Sequence, residues 1–325
     1  MYQWGKLLKG AVWIEETQTG ILARRFTKKQ LAFYASVSQA SYVRAAGCAG
    51  IRMDFITEAP EISFAYETTA FCRDSLYLDI YENGVLCGVI KEPDKSPNGR
   101  VSYQKHASGK TRITIYFPYT CDVALQDVSL GEIEYVPDEK TNYLALGDSI
   151  TQGMDAKNPS FHYPAVLARY FGWNYLNHGV GGFYFDPDSL DAELPFKPDV
   201  ITVAYGANDC HLISVGEKTY EGVKKSAKAF LDKLIALYSQ ACVYVITPIW
   251  RAAEYENADI ASGMQRIRSF IKKEAASRGL NVIDGEKLVS HDSGFFGDKV
   301  LHPNEIGFME YAMHMIPQIK QIAGR

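Results

Sequence analysis

From residue 143 to the C-terminus the chain alternates between two hydrophobic periods, and this constrains the fold more than any other feature. Strand candidates fall at 143–146, 173–177, 199–205, 242–247 and 281–284, and of these Tyr143 to Leu146 and Val200 to Tyr205 read as strands buried on both faces. Helical stripes fall between them. Val223, Ala227, Phe230, Leu231, Leu234 and Ile235 recur at i, i+3, i+4 spacing, as do Ile260, Met264, Ile267 and Ile271. A last helix is expected from Asn304 through Tyr311 to Ile319. This alternation implies a parallel sheet covered by helices on both faces, a three-layer α/β/α arrangement. Ligands of such sheets sit beyond the carboxyl ends of the strands.

The first 135 residues obey a different period. Ile62, Phe64 and Tyr66 alternate with Glu61, Ser63, Ala65 and Glu67, the pattern of a half-buried strand. Leu76, Leu78 and Ile80 alternate with Tyr77, Asp79 and Tyr81, and Asn83-Gly84 then separates them from 85–90, a type I′ hairpin signal. Ile113, Ile115 and Phe117 alternate again and stop at Pro118. Short alternating strands broken by turns predict an all-β sandwich of jelly-roll type. Val136-Pro-Asp-Glu-Lys-Thr-Asn142 is polar and carries a proline, which sets the expected domains at 1–137 and 141–325. A length of 325 residues accommodates two such domains.

Composition excludes several classes of function. The net charge is −4 and no basic stripe stands out, so nucleic acid is not expected as a partner. The six cysteines (Cys48, Cys72, Cys87, Cys121, Cys210 and Cys242) show no C-x-x-C pair and no regular spacing, which reads as reduced thiols rather than a disulfide framework. Residues 1–10 lack an apolar secretory core, and no window approaches the roughly 18 apolar residues of a membrane span. The expected location is cytoplasmic, with no membrane partner.

Chemistry concentrates in four blocks. Leu144-Ala-Leu-Gly-Asp-Ser-Ile-Thr-Gln-Gly153 ends a buried run at Ser149, where an open α/β sheet presents a side chain to ligand. Asn177-His-Gly-Val-Gly-Gly182 follows the second run, Gly206-Ala-Asn-Asp209 the third, and Asp298-Lys-Val-Leu-His302-Pro-Asn304 lies near the C-terminus. Each block alone is common. The four in this order resemble the SGNH (GDSL) hydrolase family over about residues 141–325, through Ser149, Gly182, Asn208 and His302.

The resemblance implies a flavodoxin-like catalytic domain and an ester hydrolase. Ser149 is then the nucleophile and His302 the base that takes its proton. The backbone N–H groups of Ser149 and Gly182 and the side-chain amide of Asn208 are the implied oxyanion donors. The family usually holds its histidine with an aspartate three residues earlier; here Asp298 is four residues before His302. A loop or one helical turn would absorb the extra residue. Asp292 is the second candidate, and a backbone carbonyl would leave a Ser–His dyad.

Asp74-Ser-Leu-Tyr-Leu-Asp79 loosely resembles a motif of the β-domains that precede some members. Those members resemble carbohydrate esterases of family 2, which implies small acyl esters, acetylated sugars or oligosaccharides, as substrate. Lipase, lysophospholipase or thioesterase activity is the family alternative. A non-catalytic carbohydrate-binding protein on the same scaffold is the alternative of another class.

Other motifs carry less. Ala107-Ser-Gly-Lys-Thr111 ends like a phosphate loop but has Gln104 where the first glycine belongs. In the Gly179-Val-Gly-Gly182 stretch, Tyr184 occupies the last dinucleotide-fingerprint position. Cys210-His211 lacks a partner pair at metal spacing. No metal and no cofactor are expected. His106, His162, His178, His291 and His314 read as surface or satisfied core residues. Tyr163, Phe183, Tyr184, Phe185, His211, Trp250 and Arg251 are candidates for the substrate pocket or for plain packing.

Overall fold

The protein, seen as a computed structural model, is described over residues 2–323. It divides into two compact units, Met1–Lys140 with Lys157–Ser160, and Thr141–Ala156 with Phe161–Arg325.

The first unit consists of two antiparallel sheets. One runs in the order Leu8–Lys9, Arg52–Thr57, Thr111–Tyr116, Leu76–Glu82, Val85–Glu92, with Ile133–Tyr135 also paired to Arg52–Thr57. The other runs Trp13–Thr17, Gly20–Arg24, Ala124–Ser129, Glu61–Glu67, Asn98–Gln104. Met53, Phe55, Ile62, Phe64, Ile80 and Ile115 meet in the core between them. The alternation along Glu61–Glu67 works as expected, with Ile62, Phe64 and Tyr66 buried. Asn83 and Gly84 both take positive φ, 51° and 84°, as a type I′ turn requires.

One expectation for this unit needs an addition and one a correction. The two sheets form the expected β-sandwich, but helices at Lys28–Val37 and Gln39–Ala46 are added to it. Their apolar periodicity is weak, but their caps are not. Thr27 and Gln30 form a reciprocal capping box, and the Ser38 side chain accepts from the Ser41 N–H. Leu76–Glu82 is not half-exposed, because Asp79 and Tyr81 are buried along with Leu78 and Ile80. The Asp79 carboxylate accepts from Asn158 Nδ2 at 2.7 Å and from the N–H and Oγ of Ser160 at 2.9 and 2.6 Å. Three donors offset the cost of burying that charge.

The second unit is a five-stranded parallel sheet. Its strands are β1 (Thr141–Gly147), β2 (Trp173–Gly179), β3 (Val200–Ala204), β4 (Cys242–Ile246) and β5 (Asn281–Ile283), in the order β2-β1-β3-β4-β5. This is the flavodoxin-like order, with its reversal beside β1. The main helices are α1 (Ser149–Gln152), α2 (Tyr163–Phe171), α3 (Ala207–Ser214), α4 (Tyr220–Leu237), α5 (Ala258–Ser277) and α6 (Glu305–Ala323). The predicted stripes are the buried faces of α4 and α5: Val223, Ala227, Phe230, Leu231 and Leu234 on one, Met264, Ile267 and Ile271 on the other. Asn304 starts α6, its Oδ1 accepting from the Gly307 N–H.

All six cysteines are free. Among the described residues no helix is long and apolar enough to cross a membrane.

Candidate active site

The site grows from the level ends of three strands. Gly147 of β1 lies in register with Gly179 of β2 and Ala204 of β3, so the segments that follow all leave the sheet at one edge. A Cβ at 147 would fall 2.0 Å from Thr151 Oγ1 and 2.8 Å from the Ala204 carbonyl oxygen, so the tight exit from β1 demands glycine. Asp148 caps α1 by accepting from the Ile150 N–H at 3.0 Å. Its burial pushes the carboxyl up to about 6. Ser149 is the first residue of α1, where a backbone N–H has no partner within its own helix.

Side chains lock the neighbouring turns to α1. Asn177 Nδ2 donates to the Thr151 carbonyl at 2.7 Å, and Asn177 Oδ1 accepts from the Gly179 N–H at 2.8 Å. Gln152 Oε1 accepts from the Gly181 N–H at 2.8 Å, which ties down the turn that carries Gly182 (φ 74°). Asn208, in the first turn of α3, donates Nδ2 to the Phe183 carbonyl at 2.9 Å. Its amide keeps a second N–H for another acceptor. Asp209 beside it accepts from the Phe185 N–H at 3.4 Å, and burial pushes its carboxyl up to about 7.

His302 arrives on a loop closed by pairing of Phe296 with Pro303 and by the Gly297 N–H donating to the His302 carbonyl at 2.8 Å. Asp298 organises this loop. Its Oδ1 accepts from the N–H groups of Val300, Leu301 and His302 at 2.9, 2.8 and 3.1 Å. Its Oδ2 meets His302 Nδ1 at 2.6 Å. The extra residue relative to the family spacing is absorbed by the loop and not by a helical turn, with Lys299 in the left-handed region at φ 63°. On the other side of the ring, His302 Nε2 lies 2.8 Å from Ser149 Oγ.

The electrostatics follow from these contacts. Burial opposes charge on Asp298, but the His302 ring and the loop N–H groups outweigh it and hold the carboxyl well below the usual range. Burial also opposes charge on His302, yet Asp155 and Asp298 raise it to about 9. Asp155 does not stand out in the sequence. Its Oδ2 is 3.4 Å from the same Nδ1, the longer of the two carboxylate contacts. The available signal was an acid six residues after Ser149 and just past the Gly153 turn. Asp292 is engaged elsewhere, its Oδ1 accepting from the Gly294 N–H.

The structure thus brings Ser149, His302 and Asp298 into one hydrogen-bonded chain and ties Gly182 and Asn208 to the adjoining turns. Several pocket candidates are core instead. Tyr163 is buried, stacks on Tyr311 at 4.5 Å and shares a hydrogen bond with Thr151 Oγ1. Phe183 and Phe185 are buried, and Trp250 stacks on His291 at 4.9 Å. Tyr184 is half-exposed, with Lys218 Nζ over its ring. His211 and Arg251 instead line a cavity of about 460 Å³ along α3, with Ser214, Ile260 and Ile267.

Among the described residues, two groups of side chains bring three potential ligand atoms within 4.8 Å of one another: Glu82, Cys87 and His106, and Asp155, Asp298 and His302. The Glu82 carboxylate is already used by Tyr103 Oη and the N–H groups of His106 and Ala107. In the second group Nδ1 is taken by Asp298.

A family model for GDSL-like lipases and acylhydrolases matches residues 145–308. No curated protein matches the chain by sequence. Among solved structures, a protein assigned as a GDSL-like lipase from Bacteroides ovatus is 19% identical with a TM-score of 0.76, covering 98% of this chain and 96% of that one. A salicylyl-acyltransferase from a tetracycline biosynthetic pathway is 16% identical with a TM-score of 0.74, covering 97% and 94%. A family two carbohydrate esterase from Clostridium thermocellum, solved with cellohexaose, is 13% identical with a TM-score of 0.64, covering 84% and 92%. At these identities the likeness is one of fold, and it extends over both units.

Proposed function

The chain belongs to the GDSL-like lipase/acylhydrolase family and is an ester hydrolase; on that footing we propose that its reaction passes through an acyl-Ser149 intermediate. The observation that carries this reading is the 2.8 Å contact between Ser149 Oγ and His302 Nε2, with Asp298 on the far ring nitrogen at 2.6 Å. In the neutral ring, Nδ1 keeps its proton toward Asp298 and Nε2 accepts from the serine hydroxyl. As Oγ attacks the ester carbonyl, its proton passes to Nε2 and the imidazolium is stabilised by the carboxylate. The developing oxyanion is met by the N–H groups of Ser149 and Gly182 and the free N–H of Asn208 Nδ2, donors fixed before the reaction starts. Collapse of the tetrahedral adduct expels the alcohol with the proton from Nε2. Water, activated by the same nitrogen, then releases the acid and restores Ser149.

The substrate class we propose is a small acyl ester of a sugar, with acetyl the preferred group. Relatives in fold support it: the family two carbohydrate esterases, and an acetyl xylan esterase from Butyrivibrio proteoclasticus. The domains act as a β-sandwich over 1–137 and a catalytic domain over 141–325.

Two experiments test these points. A fluorophosphonate probe followed by peptide mass mapping should label Ser149 in the wild type and nothing in Ser149→Ala; an unlabelled wild type without esterase activity favours the carbohydrate-binding alternative. Aryl acetate should be hydrolysed faster than aryl octanoate, and equal rates end the acetyl reading.

A further inference from the structure

We propose that Asp155 is a second positioning carboxylate for His302, so that the imidazole works between two acids rather than against one. The inference rests on His302 being the base of the reaction.

Three observations point to it. Asp155 Oδ2 stands 3.4 Å from His302 Nδ1, the nitrogen that Asp298 Oδ2 meets at 2.6 Å. The ligand atoms of the three residues lie within 4.8 Å of one another, a spacing at which two carboxylates repel unless a cation sits between them. The backbone also holds Asp155 where only a few residue types settle. Its φ is 69°, in the left-handed region, and a Cβ on Gly297 would approach the Asp155 Cβ to 2.7 Å. Glycine at 297, one residue before Asp298, therefore lets the 155 side chain close on the histidine loop.

The consequence is a trade between readiness and reach. Two carboxylates stabilise the imidazolium that forms as Ser149 gives up its proton, which favours the transition state. The same pair keeps the free ring protonated at neutral pH, so less of the enzyme has its base available. Ser149 faces the ring at Nε2, Asp155 and Asp298 face it at Nδ1, and Asp148 is the further carboxyl whose charge is coupled to it.

Asp155→Asn keeps side-chain volume and tolerance of the left-handed backbone, and Asp155→Gly removes the carboxylate together with the backbone strain. The test is an NMR titration of His302, assigned by its loss in His302→Gln, run in parallel with the pH dependence of kcat/KM. In both Asp155 variants the His302 titration should fall by about one pH unit, a tenfold change in proton affinity. The acid limb of kcat/KM should move down with it, and the high-pH plateau should drop by about tenfold. Activity at pH 7 should change less than the plateau, because more of the ring is neutral there.

A purely structural role would lower the melting temperature and scale kcat/KM equally at every pH. An unmoved His302 titration in folded Asp155→Asn and Asp155→Gly overturns the proposal. A titration that moves while the acid limb stays put upholds the paired carboxylates and removes His302 as the base.

Discussion

Both units bury apolar strands, yet the proposed site residues all fall in one, and strand direction explains the difference. In the antiparallel sheets, neighbouring strands run in opposite directions, as in the Asn83-Gly84 hairpin, so the loops that follow them leave at opposite edges and their residues scatter. In the parallel sheet every strand exits at the same edge. Gly147, Gly179 and Ala204 finish in register, and Ser149, Gly182 and Asn208 follow within a few residues of each end. The buried polar groups differ in the same way. Asp79 and Glu82 of the first unit have their carboxylates filled by several donors. Asp298, His302 and Ser149 form a chain that ends on the hydroxyl proposed as the nucleophile.

The largest effect expected from this contrast is on rate alone. Ser149→Ala should lower kcat on 4-nitrophenyl acetate by a factor on the order of 10⁶. Its melting temperature should stay near that of the wild type, since the change removes one oxygen from a site that is not a packing centre. Substantial activity remaining in Ser149→Ala breaks the comparison at its root.

The next effect is on stability alone. Phe64 is fully buried and lies 5.9 Å from the Phe117 ring. Phe64→Ala should cost about 3–5 kcal/mol in urea unfolding, the transfer term plus the cavity. Asn208→Ala lies between the two kinds of effect. It should lower kcat by about 10²–10³ through the lost oxyanion donor, and stability by about 1 kcal/mol through the bond to the Phe183 carbonyl. A loss confined to stability would reassign Asn208 to the scaffold.

Legibility in the sequence follows the same division. The parallel strands were readable from their buried apolar centres, and the runs at 143–146 and 173–177 fall inside β1 and β2; β5 is the weakest of them, with only Ile283 of Asn281–Ile283 buried. The helices at Lys28–Val37 and Gln39–Ala46 were not readable from periodicity; only Thr27 with Gln30, and Ser38, announced them. Alternation misled at Asp79 and Tyr81, because Lys157–Ser160 covers that face from a distant part of the chain. Asp298 was legible from its nearness to His302. The left-handed turn at Lys299 that lets it reach was not, since nothing in Lys299 itself favours positive φ. Asp155 reaches His302 across 147 positions of sequence, and no local pattern encodes such a contact.

The smallest effect separates two glycines with the same backbone demand. Gly84 has φ 84° at the tip of its hairpin, and a Cβ there would meet nothing within 4 Å. Gly84→Ala therefore incurs only the conformational penalty of a left-handed residue, about 1 kcal/mol in urea unfolding, with kcat unchanged. Gly182 has φ 74° and carries an N–H that the proposed mechanism aims at the oxyanion. Gly182→Ala should show a similar backbone penalty together with a fall in kcat. Measured side by side, the pair asks whether positive φ serves only the turn or also the reaction. If kcat falls equally in both, then the antiparallel unit takes part in turnover and the division drawn from strand direction is wrong. If only Gly182→Ala slows the enzyme, the left-handed turn at the end of a parallel strand is part of the catalytic geometry.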